Sequence, residues 1–329
     1  MLRYASVVRG VRRCQGSRLR VLVAAVIVLF TGACGSGGND GNASSRYAVL
    51  SAFPAEGAPV VEQADVDEMV TIEGHVFRVG TLGGVPVVMA LTGIGLVNAA
   101  NTTRLLLDHF DVKGIIVSAV AGSFLRIGDV AVPSVWILSD GTIYNPDQGW
   151  LGIAGELTPP GAVVMEQCTV PPSMPSVGSV CLTQDPVIVV GGVGYSSDPF
   201  SGNPFPCQPE GSDVFGCDVG AKGSTPAWMK GGVPEGEKDD APDADEPELQ
   251  EPGGPVVGDM ETAAVAREAA VRGVPLIAFR AASDGKGDPL GLKRPFAQFF
   301  IYYRLAGRNA AASTEAFLQQ LAASHSCGT

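Results

Sequence analysis

Three acidic side chains and one arginine stand beside predicted buried segments, where they could do chemistry on a bound ligand. Glu56 follows the apolar run 47–53, and Asp284 follows the run 274–280, whose last residue is Arg280. Glu261 stands near the start of a predicted helix. A carboxyl group held away from water has a raised pKa, and it can then exchange protons with a ligand near neutral pH. Acid–base chemistry at strand ends is therefore the first hypothesis.

Strands that alternate with helices must hold these residues. The apolar segments that predict strands are 47–53, 76–79, 86–91, 114–119, 127–133, 186–191 and 274–280. Helical patterns predict helices over 97–110, 258–272 and 296–323. This alternation predicts a single α/β domain with a central, mostly parallel or mixed twisted sheet flanked by helices.

The carboxyl ends of the strands form the ligand-binding edge of such a sheet. Pro54 is expected to end the first strand and to leave Glu56 in a loop, and the small residues 120–123 are expected to form a turn after the strand 114–119. The residues expected at this edge are Glu56, Gly93, Gly122, Phe200 and Asp284.

Four short motifs follow one another along the chain. They are Thr92-Gly93-Ile94-Gly95 with Asn98-Ala99-Ala100, Ala121-Gly122 with Ile127-Gly128-Asp129-Val130, Asp259-Met260-Glu261 with Ala263-Ala264, and Arg280 with Ser283-Asp284. In these motifs the sequence resembles the nucleoside phosphorylase/nucleosidase superfamily, which includes the methylthioadenosine/S-adenosylhomocysteine nucleosidases. The resemblance extends over residues 47–323 apart from an insertion. The stretches 259–266 and 278–280 also resemble the exported plant bark and vegetative storage proteins.

The resemblance implies roles for three catalytic residues. Asp284 matches the acid that donates a hydrogen bond to N7 of the purine as the base departs. Glu56 stands four residues after Ala52, which is the spacing at which the nucleosidases place the base that activates water. Arg280 matches the arginine that the nucleosidases keep near this water.

The resemblance also implies a set of substrate-binding residues. Glu261 and Met260 match the pair that lies along the ribose, and Phe200 stands where the family stacks an aromatic ring on the base. The remaining motif residues assigned to the substrate are Ala121, Gly122 and Ser283.

The expected reaction is hydrolysis of an N-glycosidic bond. The segment 116–122 has no arginine where hexameric purine phosphorylases carry one for phosphate, so water is a better fit than phosphate as the nucleophile. Val120 departs from the nucleosidase pattern, which usually has a Ser or Thr that touches the water. The sequence predicts a purine nucleosidase for adenosine, methylthioadenosine or S-adenosylhomocysteine. A phosphate-dependent purine nucleoside phosphorylase and a non-catalytic nucleoside-binding or storage-like protein remain alternatives.

Composition and the N-terminus indicate an exported protein. The net charge of −12 argues against a nucleic-acid partner. Residues 1–20 contain six arginines and no acid, and a short apolar run and Cys34 follow. We expect a signal peptide over 1–33, a lipid on Cys34, a flexible tether over 34–45, and a cell-envelope location with membrane contact through the lipid alone. Residues 46–329 form the expected domain.

Cysteine spacing and one acidic segment complete the expectations. In an oxidising compartment short-range pairs are expected, Cys168 with Cys181 and Cys207 with Cys217. Many Gly, Pro and acidic residues predict a disordered insertion over about 203–255. No metal or organic cofactor is indicated, and the resemblance implies a homodimer.

Overall fold

The described residues of this computed structural model are 45–172, 174–221 and 256–326, and all of them belong to one compact unit. The expected signal peptide, the lipidation site Cys34, residues 34–44 of the tether, and residues 222–255 of the expected insertion lie outside them. Within the described part of the chain, none of the helices combines the length and apolar character that a membrane span requires.

The predicted strands and helices are all present in the predicted order, and the structure adds two helices, Pro54–Gln63 and Gln148–Gly155, and further strands that the sequence analysis does not predict. The strands are β1 (Arg46–Ser51), β2 (Ala64–Ile72), β3 (His75–Leu82), β4 (Val85–Leu91), β5 (Val112–Arg126), β6 (Val130–Val132), β7 (Val135–Leu138), β8 (Ile143–Tyr144), β9 (Cys168–Thr169), β10 (Val180–Cys181), β11 (Ile188–Val190), β12 (Val193–Ser196), β13 (Val256–Asp259) and β14 (Leu276–Lys286). The helices are α1 (Pro54–Gln63), α2 (Leu96–His109), α3 (Gln148–Gly155), α4 (Thr262–Arg272) and α5 (Pro295–Ser326), with a short 3₁₀ turn at Pro175–Val177.

A mixed sheet of twelve strands organises the domain, and β5 lies at its centre. β5 pairs in parallel with β1 on one side and with β14 on the other, so that Ile116 lies between Val49 and Ile277. Farther along β5, Gly122 pairs with Gly258 of the antiparallel strand β13. β9 and β10 form a separate two-stranded sheet. The expected α/β fold class is confirmed, with helices packed on both faces.

Alternating side chains of the central strands feed two apolar cores. On β1, Tyr47 and Val49 belong to the core beneath α1, α3 and α5, whereas Ala48 and Leu50 belong to the core beneath α2 and α4. A fully buried leucine or isoleucine side chain contributes roughly 1.5–3 kcal/mol to folding. Both faces of β5 are covered in this way, which explains the continuous apolar run in its sequence.

Three local predictions differ from the structure. Glu56 lies in the first turn of α1 and not in a loop, because Pro54 is accepted at the first position of a helix, where its missing N–H has no intrahelical partner. The expected turn at 120–123 is part of β5, which continues to Arg126 because β13 and β14 pair with it there. Helix α4 begins at Thr262 and not at Gly258, because residues 256–259 form strand β13.

Two disulfides join the cysteine pairs that the spacing predicts. Cys168 pairs with Cys181 between β9 and β10, and Cys207 pairs with Cys217 in the segment after Phe200. That second disulfide lies inside the expected disordered insertion, and residues 203–221 are instead ordered against the domain, with Val214 buried in the core. The cross-link and the apolar contact of Val214 supply the order that composition alone does not predict.

Candidate active site

Glu56 is a fully buried carboxylate in the first turn of α1. Its side chain is 1% exposed, and it reaches back to the start of its own helix. Oε2 accepts hydrogen bonds from the N–H groups of Ala52 (2.6 Å) and Phe53 (3.3 Å). Oε1 accepts a hydrogen bond of 2.7 Å from the N–H of Val120 on β5. Main-chain donors from two elements therefore fix both carboxylate oxygens.

Glu261 is the second buried carboxylate, and it stands at the N-terminal boundary of α4. Its Oε1 accepts a hydrogen bond of 2.9 Å from the N–H of Gly95, at the start of α2. Gly95 has φ of +98°, and a Cβ there would lie 2.9 Å from the ring of Phe200. A glycine is therefore required at this position, both for the backbone conformation and for the contact with Phe200.

Arg280 on β14 joins the acidic groups. It is 1% exposed, and its Nη2 lies 2.9 Å from Asp259 Oδ2 and 3.3 Å from Glu261 Oε2. Nε and Nη2 also donate to the hydroxyl of Thr262, at 2.9 and 2.8 Å. Nη1 donates a hydrogen bond of 2.8 Å to the carbonyl of Val120, whose N–H binds Glu56. The fork of the guanidinium thus holds β5, β13 and the start of α4 together.

One buried cation faces three buried carboxylates, and the pKa values of two of them, Glu56 and Glu261, are raised. Burial raises the pKa of Glu56 to about 8, with repulsion from Glu261 adding to it while Arg280 and the main-chain N–H groups oppose the rise. Burial also raises the pKa of Glu261, reinforced by the charge of Asp259. For Arg280, burial acts to lower the pKa, but the attraction of Asp259, Glu261 and Glu56 outweighs it and the pKa is raised. The cluster can therefore hold a mobile proton near neutral pH.

Asp284 lies on β14 beside β5. A Cβ placed on Gly122 would lie 3.0 Å from Asp284 Oδ2, so the glycine leaves room for the carboxyl group. The hydroxyl of Ser283 donates to Asp284 Oδ1 at 2.9 Å and contacts the carbonyl of Ala121 at 3.3 Å. Ala121, Gly122, Ser283 and Asp284 are thus brought together at the point where β5 and β14 lie side by side. Asp284 lies within β14 and not after its end, because the strand continues to Lys286.

The expected substrate-binding residues Met260 and Phe200 border the same region. Met260, Phe200, Gly122 and Asp284 are partly exposed, whereas Glu56, Arg280 and Glu261 are buried. The ring of Phe200 packs against Phe205, with ring centroids 4.8 Å apart. The expected site residues therefore divide into a partly exposed group and a buried acidic cluster.

Sequence reasoning did not identify the residues that support the cluster. Asp259 accepts from Ser196 Oγ and from the N–H groups of Glu261 (3.1 Å) and Thr262 (3.2 Å), and the hydroxyl of Thr262 also donates to it. Ser196 in turn accepts from the N–H of Ala263 at 2.9 Å. Asp259 is the first residue of the motif Asp259-Met260-Glu261 and Thr262 follows it, so the motif was the available signal, although it gave neither residue a role. Within the described ranges, no group of His, Cys, Asp and Glu residues has an arrangement that could hold a metal ion.

The fold is that of a known superfamily. Residues 46–319 match the family model described as the phosphorylase superfamily. The chain belongs to the phosphorylase superfamily. An uncharacterized protein of Mycobacterium tuberculosis is 37% identical over 188 residues, which are 52% of this chain and 75% of that protein. A 5'-methylthioadenosine/S-adenosylhomocysteine nucleosidase of Geobacillus kaustophilus is 39% identical over 90 residues, which are 26% of this chain and only 38% of that enzyme.

Solved structures share the fold of this superfamily member. The 5'-methylthioadenosine/S-adenosylhomocysteine nucleosidase of Neisseria meningitidis aligns with a TM-score of 0.54 and 19% identity over 84% of this chain and 99% of that one. The futalosine hydrolase of Helicobacter pylori aligns with a TM-score of 0.52 and 17% identity over 83% of this chain and 97% of that one. At this level of identity the likeness concerns the fold.

Proposed function

We propose that this phosphorylase-superfamily protein is a purine nucleosidase, which hydrolyses the N-glycosidic bond of adenosine, methylthioadenosine or S-adenosylhomocysteine. The observation that carries the proposal is the buried pair Glu56 and Glu261, which Arg280 and the main chain of Val120 connect. Asp284 lies four residues after Arg280 on the same strand. The sequence relatives that bear a nucleosidase name support the same reaction class.

Each charged group has a role in the proposed reaction. Glu56 takes a proton from water. A carboxylate whose pKa lies near neutral pH is ionised in a useful fraction of the molecules and still binds a proton strongly. Arg280 holds the Glu261 carboxylate through Nη2, and Glu261 accepts hydrogen bonds from the ribose hydroxyls as positive charge develops on the sugar. Asp284 donates a proton to N7, so that the bond between C1′ and N9 breaks with the base departing as a neutral molecule, while the oxygen of the water that Glu56 deprotonates bonds to C1′.

Hydrolysis fits the charges of the site better than phosphorolysis. The arginines that are buried among the described residues are Arg78 and Arg280, and each already faces a carboxylate. A phosphate dianion beside Glu56 and Glu261 would meet negative charge, and it needs donors that are not already neutralised. Phosphorolysis is therefore the second candidate, and phosphate dependence distinguishes the two.

A nucleoside-binding protein without turnover is the third candidate. The observation that favours it is Val120, whose aliphatic side chain stands where the resemblance predicts a hydroxyl that touches the water. The main chain of Val120 nevertheless contacts both Glu56 and Arg280. Loss of one hydroxyl removes at most a few kcal/mol of transition-state stabilisation, so turnover is expected to persist.

The test is base release from a panel of substrates. Purified protein is incubated with adenosine, inosine, methylthioadenosine and S-adenosylhomocysteine, with and without phosphate, and free base is separated by chromatography. We expect release that needs no phosphate and that disappears in the Asp284→Ala variant. Binding of all four compounds without release would reject the proposed function, and unchanged release by Asp284→Ala would reject the assignment of that residue.

We also propose that the protein works outside the cytoplasm, anchored by a lipid on Cys34. Disulfides persist in oxidising compartments, and the described residues contain two of them. When cells are separated into membrane and soluble fractions, we expect the full-length chain in the membrane fraction. We expect a Cys34→Ser variant in the soluble fraction. Equal partition of both proteins would contradict the anchor.

A further inference from the structure

The segment 203–221, which we name the disulfide loop, is closed by the Cys207–Cys217 bond. Both cysteines are exposed, whereas Ser212 and Val214 between them are buried. Beside the disulfide, the N–H of Gln208 donates a hydrogen bond of 2.7 Å to the carbonyl of Phe215, so the two chain segments next to the cross-link are also joined by their main chains. The loop therefore has an exposed cross-link and a buried tip.

The buried tip contacts the helix turn that carries Glu56. The carbonyl of Asp213 accepts a hydrogen bond of 2.7 Å from the N–H of Ala55. This N–H belongs to the first turn of α1, where main-chain donors have no partner within the helix. On α5, a Cβ placed on Gly307 would lie 2.9 Å from the carbonyl of Ala55, so α5 packs tightly against the same turn. The turn is thus held between the loop and α5.

The side chain of Asp213 supports this turn through α5. Its carboxylate accepts hydrogen bonds from the hydroxyl of Tyr303 at 3.0 and 3.1 Å and from Nε of Arg304 at 2.6 Å. The ring of Tyr303 packs against Phe53, with centroids 6.4 Å apart. The N–H of Phe53 is one of the donors to Glu56. Asp213 therefore reaches the surroundings of Glu56 by its main chain and by its side chain.

The same segment of chain also contacts the neighbourhood of Glu261. The side-chain amide of Asn98 donates to the carbonyl of Phe205 at 2.5 Å, and Phe205 packs on Phe200. Phe200 packs against Gly95, whose N–H binds Glu261. The disulfide loop and the residues just before it therefore connect the surroundings of both buried carboxylates.

We infer that Asp213 is a positioning residue for Glu56, acting through the first turn of α1, and that the Cys207–Cys217 disulfide keeps it in place. The inference rests on the proposed function, because it gives Glu56 the role of base. Without the loop, water reaches the turn, and Glu56 loses both its fixed orientation and part of its burial. Two charged groups face Glu56, and both belong to other elements: Arg280 lies on β14 and Glu261 at the start of α4.

The test compares the two disulfides within the full chain. In the Cys207→Ser/Cys217→Ser double variant and in Asp213→Ala, we expect kcat to fall ~10- to 100-fold with a smaller change in KM, because displaced catalytic groups cost about this much. The rise of kcat/KM with pH should move to lower pH by about one unit as Glu56 gains water. Asp213→Asn, which keeps an oxygen acceptor for Tyr303, should recover part of the rate. The matched control is Cys168→Ser/Cys181→Ser, which removes the exposed disulfide between β9 and β10 and should change neither the rate nor the pH profile.

A second readout does not depend on activity. Hydrogen exchange of the main-chain N–H groups measured by mass spectrometry should accelerate in residues 52–57 of the Cys207→Ser/Cys217→Ser variant and should be unchanged there in the control. An unchanged exchange rate at 52–57, or an unchanged kcat and pH profile in a folded active variant, would overturn the inference. An unmodified protein that releases no base, with accelerated exchange in the loop variant, would reject the proposed function but leave the structural coupling supported.

Discussion

The N–H of Val120 donates a hydrogen bond of 2.7 Å to the carboxylate of Glu56, although 64 positions separate the two residues in the chain. The carbonyl of the same valine accepts from Arg280 at 2.8 Å. One peptide unit on each side of the Val120 α-carbon therefore links the proposed base to the buried cation.

Replacing Glu56 by glutamine should remove the proposed base. We expect Glu56→Gln to lower kcat by ~10²- to 10⁴-fold, the usual contribution of a general base, while the Kd of a nucleoside changes little. Steady-state kinetics and calorimetric binding measure the two effects. Glu62→Gln, at an exposed position of the same helix, is the matched control and should retain full activity. A Glu56→Gln variant with normal kcat would mean that another group activates water.

The pH dependence of kcat/KM should report the protonation of Glu56. The base acts in its ionised form, and burial raises its pKa to about 8. The ionised fraction therefore increases with pH, so kcat/KM should rise about tenfold per pH unit below 8 and level off above it. Rates measured from pH 5 to pH 9 check this. A profile that is flat between pH 6 and pH 8 would contradict the role of a base with a raised pKa.

Removing Arg280 should destabilise the fold as well as the site. Arg280→Ala would leave Asp259, Glu261 and Glu56 buried without their cation, and breaking a buried ion pair by removing one partner costs about 3–5 kcal/mol. Urea denaturation measures the loss in the free energy of unfolding.

Arg267→Ala provides the comparison for this loss. Arg267 is exposed and pairs with Glu268 at 3.1 Å. Exposed pairs contribute about 0–1 kcal/mol, so the control should be nearly as stable as the unmodified protein. Equal stability of the Arg280→Ala and Arg267→Ala variants would show that the buried network does not depend on the guanidinium.

Restoring a hydroxyl at position 120 should raise the rate. Val120→Thr keeps the shape of the side chain and leaves the main-chain bonds to Glu56 and Arg280 in place. A single added donor to the attacking water should increase kcat by about tenfold, which is less than the roughly 10²- to 10³-fold contribution of one donor in an oxyanion hole. The buried hydroxyl should lower stability by roughly 1–3 kcal/mol if it finds no partner in the absence of substrate. An unchanged kcat would indicate that the side chain at position 120 does not face the water.

The fold was largely predictable because its signals are local. The apolar segments 76–79 and 86–91 predict strands β3 and β4, and the apolar segment 114–119 predicts the buried centre of β5. The continuation of β5 to Arg126 was not predictable, because it depends on pairing with β13 and β14, which come more than a hundred residues later.

The site was predictable in its residue types but not in its connections. Glu56, Glu261 and Arg280 are recognisable from motifs and spacing, and the structure brings them together. The positioning role that we infer for Asp213 could not be predicted from the sequence, because its segment has the composition of a solvated loop. Its order comes from a cross-link and from two contacts with α5, the bonds to Tyr303 and Arg304.

The most direct test of the proposed hydrolysis is to identify the sugar product. Methylthioadenosine or the best substrate of the panel is incubated with the protein in buffer freed of phosphate, and free sugar and sugar 1-phosphate are quantified before and after phosphate is added. We expect one free sugar per base released and no dependence on phosphate, because Glu56 activates water and the charge of Arg280 is already neutralised by carboxylates. Base release only with phosphate, with sugar 1-phosphate as the product, would contradict it.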